Sequence, residues 1–278
     1  MNGFYWIASY PKSGNTWLRL FLHSLSIGGL IPDFTKSLDF VTHGATRPEF
    51  EAVLEFESGD LTNDEIARAR PRQYEMEAAS AATPLFRKVH DRWDVTPVGE
   101  PLFPLAVTLG VIYLVRDPRD VAVSFAYHNN ASLDWVITAM ANSRQPIDPG
   151  RRRLPQQLPQ ILGTWGGHVE SWLDAPGLRR LVLRYEDMCV DAEGRFAEAA
   201  DFLGLDASRT AIAAATEAVR FTALRDQEEA KGFRERPVYL KRFFRRGLAG
   251  GWRDTLSAAQ VARIESDHGP VMRRLGYL

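Results

Sequence analysis

One polar loop, set between an apolar run and an amphipathic run, constrains this chain more than any other stretch. Phe4-Tyr5-Trp6-Ile7-Ala8-Ser9 has the character of a buried strand. Tyr10-Pro11-Lys12-Ser13-Gly14-Asn15-Thr16 follows, and Trp17, Leu18, Phe21, Leu22 and Leu25 then recur at helical spacing. A strand, a tight loop and a helix in that order gather backbone N–H groups and the positive end of a helix dipole at one point. That is an anion site, usually for phosphate. Lys12 adds a mobile positive charge, and Ser13, Asn15 and Thr16 add short polar side chains. An ordinary βα turn with capping residues is the competing explanation.

Partners for such a site lie at the ends of later apolar runs. Val111-Ile112-Tyr113-Leu114-Val115 is the clearest buried strand, and it runs into Arg116-Asp117-Pro118-Arg119-Asp120. Asp117 suits an N-cap and Pro118 the first helical position. Val121, Ala122, Phe125 and Ala126 continue as a helical stripe. Arg116 therefore sits at a strand's carboxyl end, where ligands gather in open parallel sheets. Ser124, two turns into the helix, can face the same ligand. Leu181 to Tyr185 is a third strand, ending in Glu186-Asp187. Phe86 to Val89 is a short strand that puts Lys88 and His90 on one side at period two. A lone His in such a place is more often structural than catalytic.

The remaining stretches are less regular. Gly28-Gly29 closes the first helix, and Thr62 with Glu65 forms a capping box. Residues 28–84 otherwise read as short helices and loops on the sheet rim. Pro97 to Pro104 reads as a connection, and 129–160, with Arg151-Arg152-Arg153, as a long mobile loop with a solvated charge run. Gln160 to Leu173 reads as a helix carrying Ile161, Leu162, Trp165, Val169 and Trp172 on one side. Helices also fit Phe196 to Leu203, stopped by Gly204, and Ala211 to Val219. Residues 225–246 read as a basic loop. Arg245-Arg246-Gly247, then Gly250-Gly251-Trp252-Arg253, combine flexible backbone, N–H donors and guanidinium groups, which suits a phosphate clamp as well as a solvated linker. Ser257 to Gln260 is a capping box opening the last helix.

Composition excludes several classes. The 278 residues carry a formal net charge of −1, which argues against a nucleic-acid coat. The single Cys189 excludes an intrachain disulfide framework and a Cys-rich metal site. No segment approaches the ~18 apolar residues of a membrane span. The apolar N-terminus lacks the basic n-region of a signal peptide. The expectation is a cytoplasmic protein with no membrane partner, no nucleic acid and no metal.

Three separated pieces point at one ligand with at least two anionic groups, and together they resemble the sulfotransferases that use 3′-phosphoadenosine 5′-phosphosulfate (PAPS). Tyr10 to Trp17 resembles that family's 5′-phosphosulfate loop, with Asn15 where many members have Thr or Ser. Val111 to Phe125 resembles its 3′-phosphate strand–helix unit, and Leu183 to Met188 a segment whose tyrosine approaches adenine. Arg245-Arg246-Gly247 with Gly250 to Arg253 resembles the late motif that closes on the 3′-phosphate. Members often have Asp at Gly251, a departure expected to fall outside the ligand contacts.

The resemblance implies an α/β fold over 1–278, a P-loop-like central parallel sheet flanked by helices on both sides in a single domain. It implies that Lys12 meets the phosphosulfate and stabilises the leaving phosphate, and that Ser13, Gly14, Asn15, Thr16 and Trp17 bind the 5′-phosphate, largely through backbone N–H groups. Arg116, Ser124, Arg245, Arg246 and Gly247 would bind the 3′-phosphate, and Tyr185 and Phe221 would border the adenine. His90, in Lys88-Val89-His90, stands where the family has its Lys-x-His base. The donor would be PAPS, the product adenosine 3′,5′-bisphosphate (PAP), and no metal is required.

The implied reaction is sulfuryl transfer to a hydroxyl of a small-molecule acceptor. Acceptor contacts are expected from 28–84 and 129–160, and 225–250 is expected to be a mobile segment closing on the cofactor. Phe34, Phe40, Phe50 and Trp93 could line the acceptor pocket or form core. A homodimer is left open. A P-loop kinase or NTPase would need Gly-x-x-x-x-Gly-Lys-Ser/Thr, whereas Lys12 precedes Gly14. A non-catalytic binder would be expected to lack Lys12 or His90, and both are present.

Overall fold

The computed structural model describes residues 2–36, 38–147 and 155–278. Its centre is a five-stranded sheet in the order β2-β3-β1-β4-β7. The strands are β1 (Phe4–Ser9), β2 (Thr42–His43), β3 (Leu85–Val89), β4 (Thr108–Val115) and β7 (Arg180–Arg184), and every pairing is parallel. From β1 the chain passes to β2 and β3 on one side of β1, and then to β4 and β7 on the other. The carboxyl end of β1 thus lies at the switch point where open parallel sheets form a ligand crevice.

Side-chain alternation builds two cores. Phe4, Trp6 and Ala8 of β1, with Val111, Tyr113 and Val115 of β4, enter one cluster. Ile7, Ile112, Leu114 and Leu183 enter the other. Both faces are apolar because both are covered, the expected state of a parallel sheet. Helices α3 (Asn63–Ser80), α4 (Pro118–Asn129), α5 (Leu133–Met140), α6 (Trp165–Leu173) and α11 (Ala258–Arg274) contribute to the first cluster. Helices α1 (Asn15–Ser26), α8 (Ala192–Phe202) and α9 (Arg209–Ala218) contribute to the second. The short helices α2 (Arg47–Leu54) and α7 (Tyr185–Val190) and the helix α10 (Phe221–Lys231) complete the chain. Among the described residues no helix is long and apolar enough to cross a membrane.

The capping boxes at Thr62 and Ser257 and the Asp117–Pro118 helix start form as the sequence indicates. Elsewhere the structure departs from the reading. Region 28–84 holds an eighteen-residue helix, α3, and a strand of the main sheet. Pro71 lies inside α3, buried on its core side, instead of ending it. Region 129–160 contains α5 and the hairpin strands β5 (Pro146–Ile147) and β6 (Gln160–Ile161), so it is not one loop. Arg151-Arg152-Arg153 lie outside the described residues. The helix expected from Gln160 begins at Trp165, because Ile161 pairs with Pro146 and Thr164 caps the helix. The first part of the expected basic loop is α10, whose buried positions are Leu224 and Glu228. A helix anchored by one leucine and one carboxylate shows no apolar stripe.

Candidate active site

The site is assembled where four strands end, β1, β3, β4 and β7. After β1 the chain passes through Lys12 at φ 71° and Gly14 at φ 102° before α1 begins. A non-glycine residue in that region carries a local cost of roughly 1–3 kcal/mol, and such residues cluster at ligand sites. At Gly14 a Cβ would come 3.0 Å from the Tyr185 ring, so both the conformation and the close approach call for glycine. The Asn15 side chain turns inward, donating to Ile7 O at 3.0 Å and Ser9 Oγ at 3.2 Å. It braces the loop and leaves the first backbone N–H groups of α1 to face the crevice. Ser13 is fully buried, and its Oγ has no hydrogen-bond partner among the described residues.

A cavity of about 910 Å³ opens at these strand ends. Of the residues singled out from the sequence, Lys12, Gly14, Asn15, Thr16, Trp17, Lys88, His90, Arg116, Ser124, Tyr185, Phe221, Arg245, Arg246 and Gly247 all line it, and Ser13 does not. Gly251, the departure from the family motif, also lines the cavity. Phe34 and Phe50 are core, and Phe40 and Trp93 pack against the core clusters.

Arg116 stacks on Tyr185 with its guanidinium carbon 4.1 Å from the ring centroid, and donates to Leu248 O at 2.9 Å. Its Nε is buried without a partner among the described residues, an orphan donor that an anionic ligand would satisfy. The strap of residues 232–250 crosses the cavity. Asp120 accepts from Gly250 N at 2.6 Å and Trp252 N at 3.0 Å. Glu228 accepts from Phe243 N at 2.6 Å and Phe244 N at 2.9 Å. Gly247 sits at φ 62°, and a Cβ there would fall 2.1 Å from Phe221.

His90 follows β3. Its Nδ1 lies 2.8 Å from Ser9 O. A carbonyl only accepts, so Nδ1 carries the proton and Nε2 the lone pair. Burial, then the Lys88 charge, holds this imidazole well below its ordinary pKa, so it is neutral at physiological pH. The backbone around it is clamped. His90 O accepts from His168 Nε2 at 3.1 Å, and the Tyr113 hydroxyl holds His168 Nδ1 at 2.8 Å. Trp172 Nε1 donates to Asp91 O at 3.0 Å. Arg70 grips the Asp91 carboxylate with bonds of 2.9 and 2.8 Å, and both side chains are buried.

Positive charge gathers without matching carboxylates. Burial, reinforced by Lys88, Arg116 and Arg245, lowers Lys12 to about 7. Burial and Arg19 lower Lys88 to about 8. Glu235 is held by Arg19 at 3.0 and 2.9 Å. Such a cavity stabilises incoming anions. Its walls add the rings of Trp17, Tyr185 and Phe221 for a planar group. Two cationic clusters flanking aromatic walls fit a nucleotide with phosphates at both ends.

The sulfotransferase domain model matches residues 4–276. The chain belongs to the PAPS-dependent sulfotransferase family. It is an enzyme that transfers a sulfuryl group. Sulfotransferase 1A1 of Canis lupus familiaris is 24% identical over 278 residues, covering 97% of this chain and 83% of that protein. The fold is similar to retinol dehydratase in complex with androsterone and PAP, with TM-score 0.60, 20% identity, and 97% and 80% of the two chains covered. It is also similar to mouse sulfotransferase SULT7A1 complexed with PAP, with TM-score 0.60, 17% identity, and 98% and 85% covered.

Several lining residues were not anticipated: His43, His128, Glu235 and Phe243. His128 falls one helical turn after Ser124, a spacing that would have flagged it. His43 pairs with Lys88 across β2 and β3, and its ring centroid is 6.5 Å from that of His90. A two-residue strand leaves no periodicity from which to infer that pairing.

Proposed function

We propose that this sulfotransferase acts on a hydroxyl of a small-molecule acceptor, with His90 as the base and Lys12 as the cation at the leaving phosphate. The donor would lie with its phosphosulfate at Lys12 to Trp17 and its 3′-phosphate among Arg116, Ser124, Arg245, Arg246 and Gly247. Trp17, Tyr185 and Phe221 would border the adenine. Bound PAPS supplies an already activated sulfuryl group. The chain's residues supply the rest. His90 Nε2 accepts the acceptor's hydroxyl proton. Lys12, Lys88 and the α1 N–H groups stabilise charge developing on the leaving side. The strap limits access of water.

The observation that carries the base assignment is the 2.8 Å hydrogen bond from His90 Nδ1 to Ser9 O, which leaves Nε2 unprotonated. The similarity to a structure holding androsterone supports an acceptor of that size class. Regions 28–84 and 129–160 are proposed to contribute acceptor contacts; His43 and Gln145 are their cavity-lining members nearest in kind to polar acceptor groups.

The test is a labelled-donor screen over phenols, alcohols and lipids, read by mass spectrometry, with wild type and His90→Ala. The variant should bind PAP as the wild type does and lose transfer. An unchanged transfer rate would remove His90 from the mechanism. PAP binding without transfer to any acceptor in the wild type would favour a non-catalytic binder.

A further inference from the structure

Lys12 has a partner with no counterpart in the assignments above. His128 lies in the last turn of α4, and its Nδ1 is 3.3 Å from Lys12 Nζ. An ammonium has only donors, so Nδ1 is the acceptor and the imidazole is neutral with its proton on Nε2. Burial, then the charges of Lys12 and Lys88, holds His128 at about 4, which agrees with that state. The Phe243 ring also faces the lysine, with its centroid 4.6 Å from Nζ.

The backbone of both residues is held independently of the lysine. The Tyr239 hydroxyl donates to His128 O at 2.9 Å, and the Tyr127 hydroxyl to Arg242 O at 2.9 Å. Glu228 holds the Phe243 N–H. The end of α4 and the strap are thereby one wall, with an imidazole lone pair and an aromatic face turned to the same ammonium.

The other charges facing Lys12 mostly oppose it. Lys88 from β3, Arg116 beyond β4 and Arg245 from the strap disfavour the cation, and Glu235 favours it. Glu235 is already paired with Arg19. Among the described residues no carboxylate lies within ion-pairing distance of Lys12 Nζ. A neutral acceptor is what remains to stabilise the charge.

We propose that His128 is a positioning residue for Lys12: its imidazole accepts the lysine's hydrogen bond and, with the Phe243 ring, keeps that side chain an ammonium within the donor site. The assignment rests on the reading of Lys12 as the cation at the leaving phosphate. It adds a neutral hydrogen-bond acceptor for that cation in a pocket crowded with like charge.

The experiment measures the titration of Lys12 in the ligand-free protein. Acetylation of Lys12 by acetic anhydride is followed against pH by peptide mass spectrometry, in wild type, His128→Phe, His128→Ala and His128→Asn. The Phe variant keeps a ring but no acceptor. The Asn variant can place an amide oxygen near the former Nδ1. The midpoint should fall by about one pH unit in the Phe and Ala variants, a tenfold change in the ammonium fraction. It should return toward wild type in Asn. The alkaline limb of the pH–rate profile should move in parallel. A wild-type midpoint in Phe and Ala, or a midpoint in Asn as low as in Phe, overturns the assignment of His128. Failure of the wild type to bind PAP overturns the donor-site reading, and with it the role given to Lys12.

Discussion

At the scale of single residues, the site concentrates cations in a place that disfavours them. Lys12 at about 7 and Lys88 at about 8 are both lowered by burial first and by neighbouring charges second. An unfolded chain holds these protons up to about 10.4. Between pH 7 and that value the unfolded state binds more protons, so this pair's contribution to stability rises with pH across the window. Ligand binding has the opposite sign. Phosphate groups favour the ammonium forms, so above about pH 7 binding takes up protons and affinity for PAP should fall as pH rises. Titration calorimetry in two buffers of different ionisation enthalpy measures that proton uptake directly. An uptake of zero at pH 8 would show that neither lysine meets the ligand. Residues of this kind were legible unevenly. Lys88 and His90 emerge from period-two alternation within one short strand. The helical spacing of His128 from Ser124 is legible too, but its pairing with Lys12, 116 positions away, is not.

At the scale of elements, the strap of residues 232–250 shows how a charged segment acquires a definite path. Its basic side chains leave no apolar pattern to read. Its course is set by carboxylates that take backbone N–H groups, Glu228 from α10 and Asp120 from α4, and by Phe233 and Phe244, which are buried in the second core cluster against Phe34. Gly247 is the tightest point, in positive φ and against Phe221. Gly247→Ala costs about 1 kcal/mol in backbone conformation alone, and the ring must also move. PAP should bind about tenfold more weakly, and the midpoint of thermal unfolding in the absence of ligand should fall by about 2 °C or more, because the strain is already present in the ligand-free fold. Calorimetry and a melting curve on the same preparation separate the two effects. Affinity equal to wild type would mean that the strap does not seat the ligand. Capping boxes and the Asp117–Pro118 helix start could be read in advance because they are local chemistry. α10 could not, because its buried anchor is a glutamate.

At the scale of the whole molecule, the carboxyl end of β3 is held by contacts that cross most of the chain. Arg70 on α3 reaches Asp91, and the Tyr74 hydroxyl, which accepts from Arg70, donates to Gly44 O at 2.9 Å. These bonds flank His90 on one side and His43 on the other. Arg70→Ala leaves Asp91 buried and unpaired and should cost about 3–5 kcal/mol of stability, measured by urea unfolding. A loss below about 1 kcal/mol would show that the pair is not buried in solution. Local patterns decided that the chain makes buried strands ending in polar loops, where its helices begin, and that two polar, cationic clusters follow those strands. Those properties depend on residues within a few positions of one another. The tertiary structure alone decided that β2 joins the sheet, that Asn15 turns inward, and that Lys12 rests on His128 and Phe243. The β2 pairing and the Lys12 contacts join groups far apart in sequence, and Asn15 reaches back only to Ile7 and Ser9, but the energy of all three depends on burial that exists only after the sheet and its two helical layers have closed.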